Sequence, residues 1–298
     1  MRRPRTRRPT PRQRGGLPVN NPPRTILFAT DFSSRCDRSL DRAMLLATQW
    51  NARLVLLHVL EKRRAAMPDD ARRAEEARLH GLLRAEFGSH AGETETRIAR
   101  GPVGDTVVAV AGETGADLVV TGVARYDELG DFVLGSTVDR LVRHSPVPVL
   151  IVKKRVRTTY DDIVIATDFS VCSGAALRTA AAMFPKAQLH LVHAYHVPFE
   201  GLISKDVNRD AFEKERSAEM ATFLSGLSLP DEIGARLSTH VVYGETENAV
   251  ESVVKATGAG LAAIGTHGRS GFVAAMIGSI AEALLATLDC DVLTVRSR

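Results

Sequence analysis

The sequence is poor in cysteine and in aromatic residues: three Cys, one Trp, and 5% Phe, Trp and Tyr together. Cys36, Cys172 and Cys290 are odd in number and far apart, and no Cys-x-x-Cys pair occurs. That spacing excludes a disulfide framework or a thiolate metal knuckle as the organising device and fits a reducing, cytoplasmic setting. No apolar run approaches about 18 residues, so no membrane span is expected. No apolar segment follows the basic first residues, so no secretory leader is expected either. A Ser-His-Asp order, a His-Glu-x-x-His motif and a Gly-Lys-Ser/Thr ending to a glycine loop are all missing. No catalytic residue and no metal site is assigned on this basis.

What is present is uneven. The formal charge is +4, but seven arginines crowd the first fourteen residues with no acid among them, and without them the remainder carries −3. The tail "MRRPRTRRPTPRQRGGLPVNNPP" (1–23) has almost nothing to bury, which predicts disorder. Attraction to nucleic acid or anionic membrane is one reading of it. A plain solvated extension is the preferred one.

The rest of the chain is written twice. "TILFATDFSSRCDRSL" from residue 25 matches "DIVIATDFSVCSGAAL" from residue 162, sharing Ala-Thr-Asp-Phe-Ser at an offset of 137. "LVLLHVL" from residue 54 answers "LHLVHAY" from residue 189, with His58 opposite His193. "RGPVGDTVVAVAGETGADLVVTG" from residue 100 answers "YGETENAVESVVKATGAGLAAIG" from residue 243, and Gly135-Ser136 answers Gly278-Ser279 at that same offset of 143. A nearly constant offset over about 135 residues implies two tandem domains, 24–153 and 160–298. The linker between them, "KKRVRTTY", is short and basic.

In copy one, apolar runs predict strands at 26–29, 54–60, 96–100, 118–121 and 147–152. Helical patterns fall at 33–50, 69–87, 103–113 and 136–144. Ser33 is a candidate N-cap and Gly115 a candidate C-terminal stop. Copy two predicts strands near 163–166, 189–194, 237–243, 261–264 and 291–295. Short apolar strands alternating with helices imply an α/β fold with a doubly wound parallel sheet, covered on both faces and joined by right-handed crossovers. Ligands of such sheets sit beyond the carboxyl ends of the strands, where the strand order reverses. That rule selects Thr30-Asp31 with Gly122 onward, and Thr167-Asp168 with Gly265 onward.

"GTHGRSGFVAAMIGS" from residue 265 has the spacing G-x2-G-x9-G-S: Gly265, Gly268, Gly278, Ser279. Glycines after a strand let backbone N–H groups approach an anion. The helix opened by Ser279 would add its free N–H groups and its dipole, with no lysine needed. Asp168 would accept from a nucleoside or hold a cation through water. The plainer alternative makes the glycines a turn, Ser279 an N-cap and Asp168 a cap of the first helix. His190, His193 and His196 are three apart, but on a strand that spacing alternates faces, so a shared metal site is not expected from them.

The G-x2-G-x9-G-S spacing, the strand ending in Ala-Thr-Asp and the segment "GSTVDRLVRHSPVPVLIV" together resemble the universal stress protein family, twice over, from Arg24 onward. The resemblance implies two tandem five-stranded parallel sheets of order 3-2-1-4-5, with helices on both faces, packed as a pseudo-dimer through their last strands. It implies ATP, with Mg²⁺, where the glycine motif is kept. By position, Ala166, Thr167, Asp168 and Ala194 would lie near the nucleoside, and Gly265, His267, Gly268, Gly278, Ser279 and Ile280 around ribose and phosphates. In copy one Thr30, Asp31, Val59, Gly122, Gly135, Ser136 and Thr137 match. There Arg125 stands in place of Gly268, either blocking the pocket or offering its guanidinium to a phosphate. In copy two Asp291 stands where copy one has Pro148. The expected function is a cytoplasmic, nucleotide-responsive stress or regulatory protein binding ATP chiefly in copy two. An interaction protein with vestigial pockets and a slow ATPase are the alternatives. Further dimerisation of the whole chain is left open.

Overall fold

A computed structural model describes residues 22–61, 69–87, 92–123, 125–126, 132–133, 135–196, 205–266 and 277–297. The first domain runs β1 (Thr25–Thr30), a 3-10 turn (Ser34–Cys36), α1 (Asp37–Trp50), β2 (Arg53–Leu60), α2 (Asp69–Phe87), β3 (Thr94–Arg100), α3 (Val103–Thr114) and β4 (Leu118–Gly122). A short ribbon of β5 (Arg125–Tyr126) and β6 (Phe132–Val133) follows, then α4 (Ser136–His144) and β7 (Val149–Val152). The second domain runs β8 (Asp162–Ala166), α5 (Val171–Met183), β9 (Gln188–Tyr195), α6 (Lys205–Leu227), α7 (Asp231–Gly234), β10 (Leu237–Tyr243), α8 (Thr246–Thr257), β11 (Leu261–Gly265), α9 (Ser279–Thr287) and β12 (Asp291–Val295).

Within each domain the strands are parallel in the order third-second-first-fourth-fifth, as expected. The central strands are buried on both faces, so successive side chains feed two cores. Ile26 and Phe28 point to the layer of α1 and α5, whereas Leu27 points to the layer of α3, α4, α8 and α9. The helix ends follow the local chemistry. Gly115 and Gly258 adopt left-handed conformations after α3 and α8 at φ 63° and 70°, where a Cβ would be strained. Ser33 differs from its predicted role. It precedes the 3-10 turn and its side chain caps nothing, whereas Ser170 caps α5 by accepting from the Ser173 N–H.

The two sheets fuse into one of ten strands, because β7 and β12 pair antiparallel. The last strands therefore cover each other, and neither remains an open edge. Leu150 lies opposite Leu293, and these are equivalent residues of the two copies at the offset of 143, so a pseudo-two-fold axis passes between them. The residue after each strand then crosses to the other domain. Lys153 Nζ donates to the carbonyls of Leu285 (2.6 Å) and Leu288 (2.7 Å) at the end of α9. Its counterpart Arg296 donates to the carbonyl of Arg143 (2.5 Å) near the end of α4. Each domain thus supplies a cation to carbonyls at the other's helix C-terminus, where the dipole is negative.

Asp291 breaks this symmetry. It is fully buried, and its Oδ1 accepts the N–H groups of Lys153 (2.7 Å) and Lys154 (2.9 Å). Its Oδ2 accepts from the Tyr160 hydroxyl (2.5 Å) and faces Arg42 Nε at 3.5 Å. Arg42 also stacks over the Tyr160 ring at 4.0 Å and donates to the Thr158 carbonyl. Tyr160 meets Phe184 edge-on, and Phe184 meets the single tryptophan, Trp50 of the first domain. The basic linker is therefore not simply solvated: Lys153 is 1% exposed and Tyr160 4%. A buried carboxylate is tolerated only when paired and hydrogen-bonded, and here both oxygens are engaged.

Removing this carboxylate would strand Arg42, Tyr160 and two linker N–H groups. Asp291→Ala should lower the unfolding free energy by about 3–5 kcal/mol in urea denaturation. Asp289→Ala, which breaks the exposed pair with Lys154, should change it by about 1 kcal/mol or less. Burial pushes the Lys153 ammonium down to about 8 from 10.5, against Cys290 and Asp291, which favour its charge. Between those pH values the unfolded chain binds more protons than the folded one, so the Lys153 contribution to stability rises with pH. Denaturation of wild type and Lys153→Met across that window should show the wild type gaining stability relative to the variant as pH rises, a difference that leaves out the opposing contributions common to both.

Candidate functional site

The string Ala-Thr-Asp-Phe-Ser builds the same turn twice. After β8, Thr167 Oγ1 accepts from the Phe169 N–H (3.0 Å) and Asp168 Oδ1 accepts from the Ser170 N–H (3.1 Å). After β1, Thr30 and Asp31 make the same bonds to Phe32 and Ser33, at 3.0 and 2.9 Å. Each Phe is thereby held left-handed, at φ 62° for Phe169 and 60° for Phe32, a conformation that a bulky residue rarely adopts unsupported. Its ring then rests on the histidine of the neighbouring strand: Phe169 on His193 with centroids 4.1 Å apart, Phe32 on His58 at 4.5 Å. Each histidine donates from Nδ1 to the threonine carbonyl at 2.9 Å, since a carbonyl can only accept. Burial holds His193 below its usual pKa against that bond, so it stays neutral near pH 7.

This turn fixes both carboxylates at the mouths of their strands. Burial pushes the Asp31 carboxyl up, but hydrogen bonds from Ser33 and Cys36 and the nearby Arg35 outweigh it, and the net shift is downward. Asp31 is more than half exposed and pairs with Arg35 at 3.6 Å. Ser170 then opens α5, and Val171, its first residue, is 74% exposed.

Gly265 ends β11, beside β8. A Cβ there would lie 2.8 Å from the carbonyl carbon of Cys172 and 3.0 Å from its oxygen, so its smallness serves the close approach of α5. Gly122 stands likewise against Ser39 Oγ (3.1 Å) and the Arg35 carbonyl (3.3 Å). The motif spacing places these two glycines toward a ligand, and the packing gives each a structural reason of its own. Gly278 differs. Its N–H donates to the Thr266 carbonyl at 3.0 Å, tying the start of α9 to the end of β11, and among the described residues a Cβ would find nothing nearer than 3.9 Å. It is the N-cap of α9 and has no side chain with which to cap it. The helix opens with Ser279, which is exposed, and Ile280, which is 50% exposed.

The Ala166–Asp168 segment and the Gly278–Ile280 segment thus lie at the carboxyl ends of the adjacent strands β8 and β11. Ala194 sits near the end of β9, next to β8. In the first domain Thr30, Asp31, Val59, Gly122, Gly135, Ser136 and Thr137 occupy the corresponding positions, with Gly135 as N-cap of α4. His267 and Gly268 lie outside the described residues. Arg125 has a described backbone, which pairs with Val133 in the β5–β6 ribbon, but its side chain lies outside them.

The model of the universal stress protein family matches residues 23–153 and again 159–296. The chain belongs to the universal stress protein family. A putative universal stress protein of Staphylococcus aureus strain USA300 is 27% identical over 139 residues, 84% of that protein but 44% of this chain, or one domain's length. Solved structures align over most of the chain. A functionally unknown protein from Pseudomonas aeruginosa PAO1 has a TM-score of 0.64 at 23% identity, covering 92% of each chain. A universal stress protein from Archaeoglobus fulgidus has a TM-score of 0.63 at 17% identity, covering 94% of this chain and 98% of its own. At these identities the likeness shows the fold. Among the described residues of this universal stress protein, no helix is long and apolar enough to cross a membrane.

Two glycines of the motif can be separated by experiment. Gly265→Ala should lower stability by about 1–3 kcal/mol in thermal unfolding, because the added methyl group meets backbone rather than a flexible side chain. Gly278→Ala should stay within about 0.5 kcal/mol of wild type.

Proposed function

We propose that the second domain binds ATP, with Mg²⁺, and that occupancy makes this a nucleotide-responsive stress or regulatory protein of the cytoplasm. The observation carrying this reading is the start of α9. A nine-residue helix opens at a glycine without a capping side chain, at the carboxyl end of the sheet, beside the carboxylate held after β8. The N–H groups that open a helix, with its dipole, suit a phosphate there. The room at Gly278 lets a phosphate oxygen approach the backbone. Exposed Val171 and Ile280 flank the same end of the domain and offer apolar surface for a base or ribose to cover. Gly268 and His267 complete the loop by sequence position.

The donors fit a phosphate better than a bare cation. Among the described residues no three His, Cys, Asp or Glu side chains converge as metal ligands. Mg²⁺ would therefore ride on the phosphates and keep water ligands, with Asp168 as the nearest outer partner. Bound ATP would supply charge and bulk at the loop, and the chain's own part is to seat it through Gly278, Ser279 and Ile280.

The first domain supports a different role. Its corresponding loop folds in part into the β5–β6 ribbon that contains Arg125. We infer that this half acts mainly as the structural partner of the second.

Titration calorimetry with ATP and Mg²⁺ tests the proposal. One molecule should bind per chain, and Gly268→Val should weaken binding by about tenfold or more, equivalent to about 1.4 kcal/mol. Absence of binding at millimolar ATP would sink it in favour of vestigial pockets. Two molecules per chain would restore the first domain as a site. Phosphate release that disappears in Gly268→Val would support the alternative of slow hydrolysis.

A further inference from the structure

His190, His193 and His196 do not share one face: His190 projects to the α8 side of the sheet and His193 toward Phe169 on the other. The partner of His190 comes instead from the next strand. His240 of β10 faces it, with Nε2 3.3 Å from His190 Nδ1 and ring centroids 5.5 Å apart. In the parallel register Ser238 lies opposite His190 and His240 opposite Val192, so the two imidazoles meet diagonally on one face. Behind His190, its Nε2 meets Asp162 Oδ1 at 2.9 Å.

A carboxylate only accepts, so Nε2 of His190 carries its hydrogen toward Asp162 and Nδ1 faces His240. Two ring nitrogens then confront each other with one hydrogen between them. A metal ion can take the place of that hydrogen. Two imidazoles each about 2.0–2.1 Å from a tetrahedral zinc have nitrogens about 3.3 Å apart, the spacing already present here. A carboxylate on the far nitrogen is the arrangement that fixes the tautomer of a metal-bound histidine and raises its basicity.

We propose that His190 Nδ1 and His240 Nε2 form a two-imidazole site for a divalent metal of the zinc and copper class, with Asp162 orienting His190 from behind. Among the described residues no third His, Cys, Asp or Glu joins them, so water fills the remaining positions and the metal is exchangeable. Access is open. β10 is the outer strand of its domain, His240 is half-buried, and Ser238 and Thr239 are exposed. His190 is only 13% exposed at its side chain, which gives the site one rigid wall. The site lies on the first half of β9, toward the amino ends of the strands. The nucleotide reading concerns the opposite ends, so the two stand or fall separately.

The test is calorimetric titration of the full chain, without nucleotide, using Zn²⁺, Cu²⁺ and Mg²⁺ salts in a non-coordinating buffer. One equivalent of Zn²⁺ should bind, Cu²⁺ should bind more tightly and Mg²⁺ should not bind, following the ligand preferences of imidazole. His240→Ala sits on an edge strand and should keep the fold, checked by its melting temperature, while losing at least about tenfold in Zn²⁺ affinity. Asp162→Ala should weaken binding by about 10–100-fold, with both ligands still present. No saturable Zn²⁺ binding in the wild type, or binding unchanged in His240→Ala, would overturn the proposal.

Discussion

The antiparallel pairing of β7 with β12 is the constraint on which this molecule depends. A parallel five-stranded sheet ending in an apolar strand has an edge that must be covered. Here each domain covers the other, and the pairing brings equivalent residues, Leu150 and Leu293, face to face. The exchange of cations follows from that geometry, since a chain leaving β7 runs directly into the end of α9 and a chain leaving β12 runs toward α4. Neither helix end is completed by its own domain alone.

Pseudo-symmetry alone would leave the linker unspecified, and Asp291 resolves this. A proline at the equivalent position of the first domain, Pro148, offers no side-chain acceptor. The carboxylate of Asp291 gathers the linker's N–H groups, Tyr160 and Arg42 onto one buried point. Such a charge contributes little net stability compared with an apolar core. Its value lies in specification: the hydrogen bonds close only when the linker and Arg42 of the first domain meet β12 of the second in this register.

The sites show the same contrast between repetition and divergence. The turn after the first strand of each domain is built by identical bonds, so Thr, Asp, Phe and His are accounted for by folding before any ligand is invoked. The same bonds hold each carboxylate at the carboxyl end of its strand. The glycines divide in the same way. Gly265 leaves no space for a Cβ against α5 and Gly122 fits tightly against Ser39 and the Arg35 carbonyl, whereas among the described residues Gly278 has room at a helix start. A spacing pattern alone treats them as equals.

The duplication, the α/β class, the strands of the main sheet to within about two residues and the loops at their carboxyl ends are all readable along the chain. These are legible because strand and helix periodicities, and repetition at a constant offset, are local signals. Only the folded chain shows that the linker's two ends, Lys153 and Tyr160, are buried, that Asp291 is its anchor, and that His190 belongs with His240 rather than with His193 or His196. Those partners are 50 to 138 residues apart. Their contact depends on strand register and on the pairing of two domains, and neither leaves a periodic trace along the chain. A strand shows in its sequence which residues share a face, and only the neighbouring strand determines what they meet there.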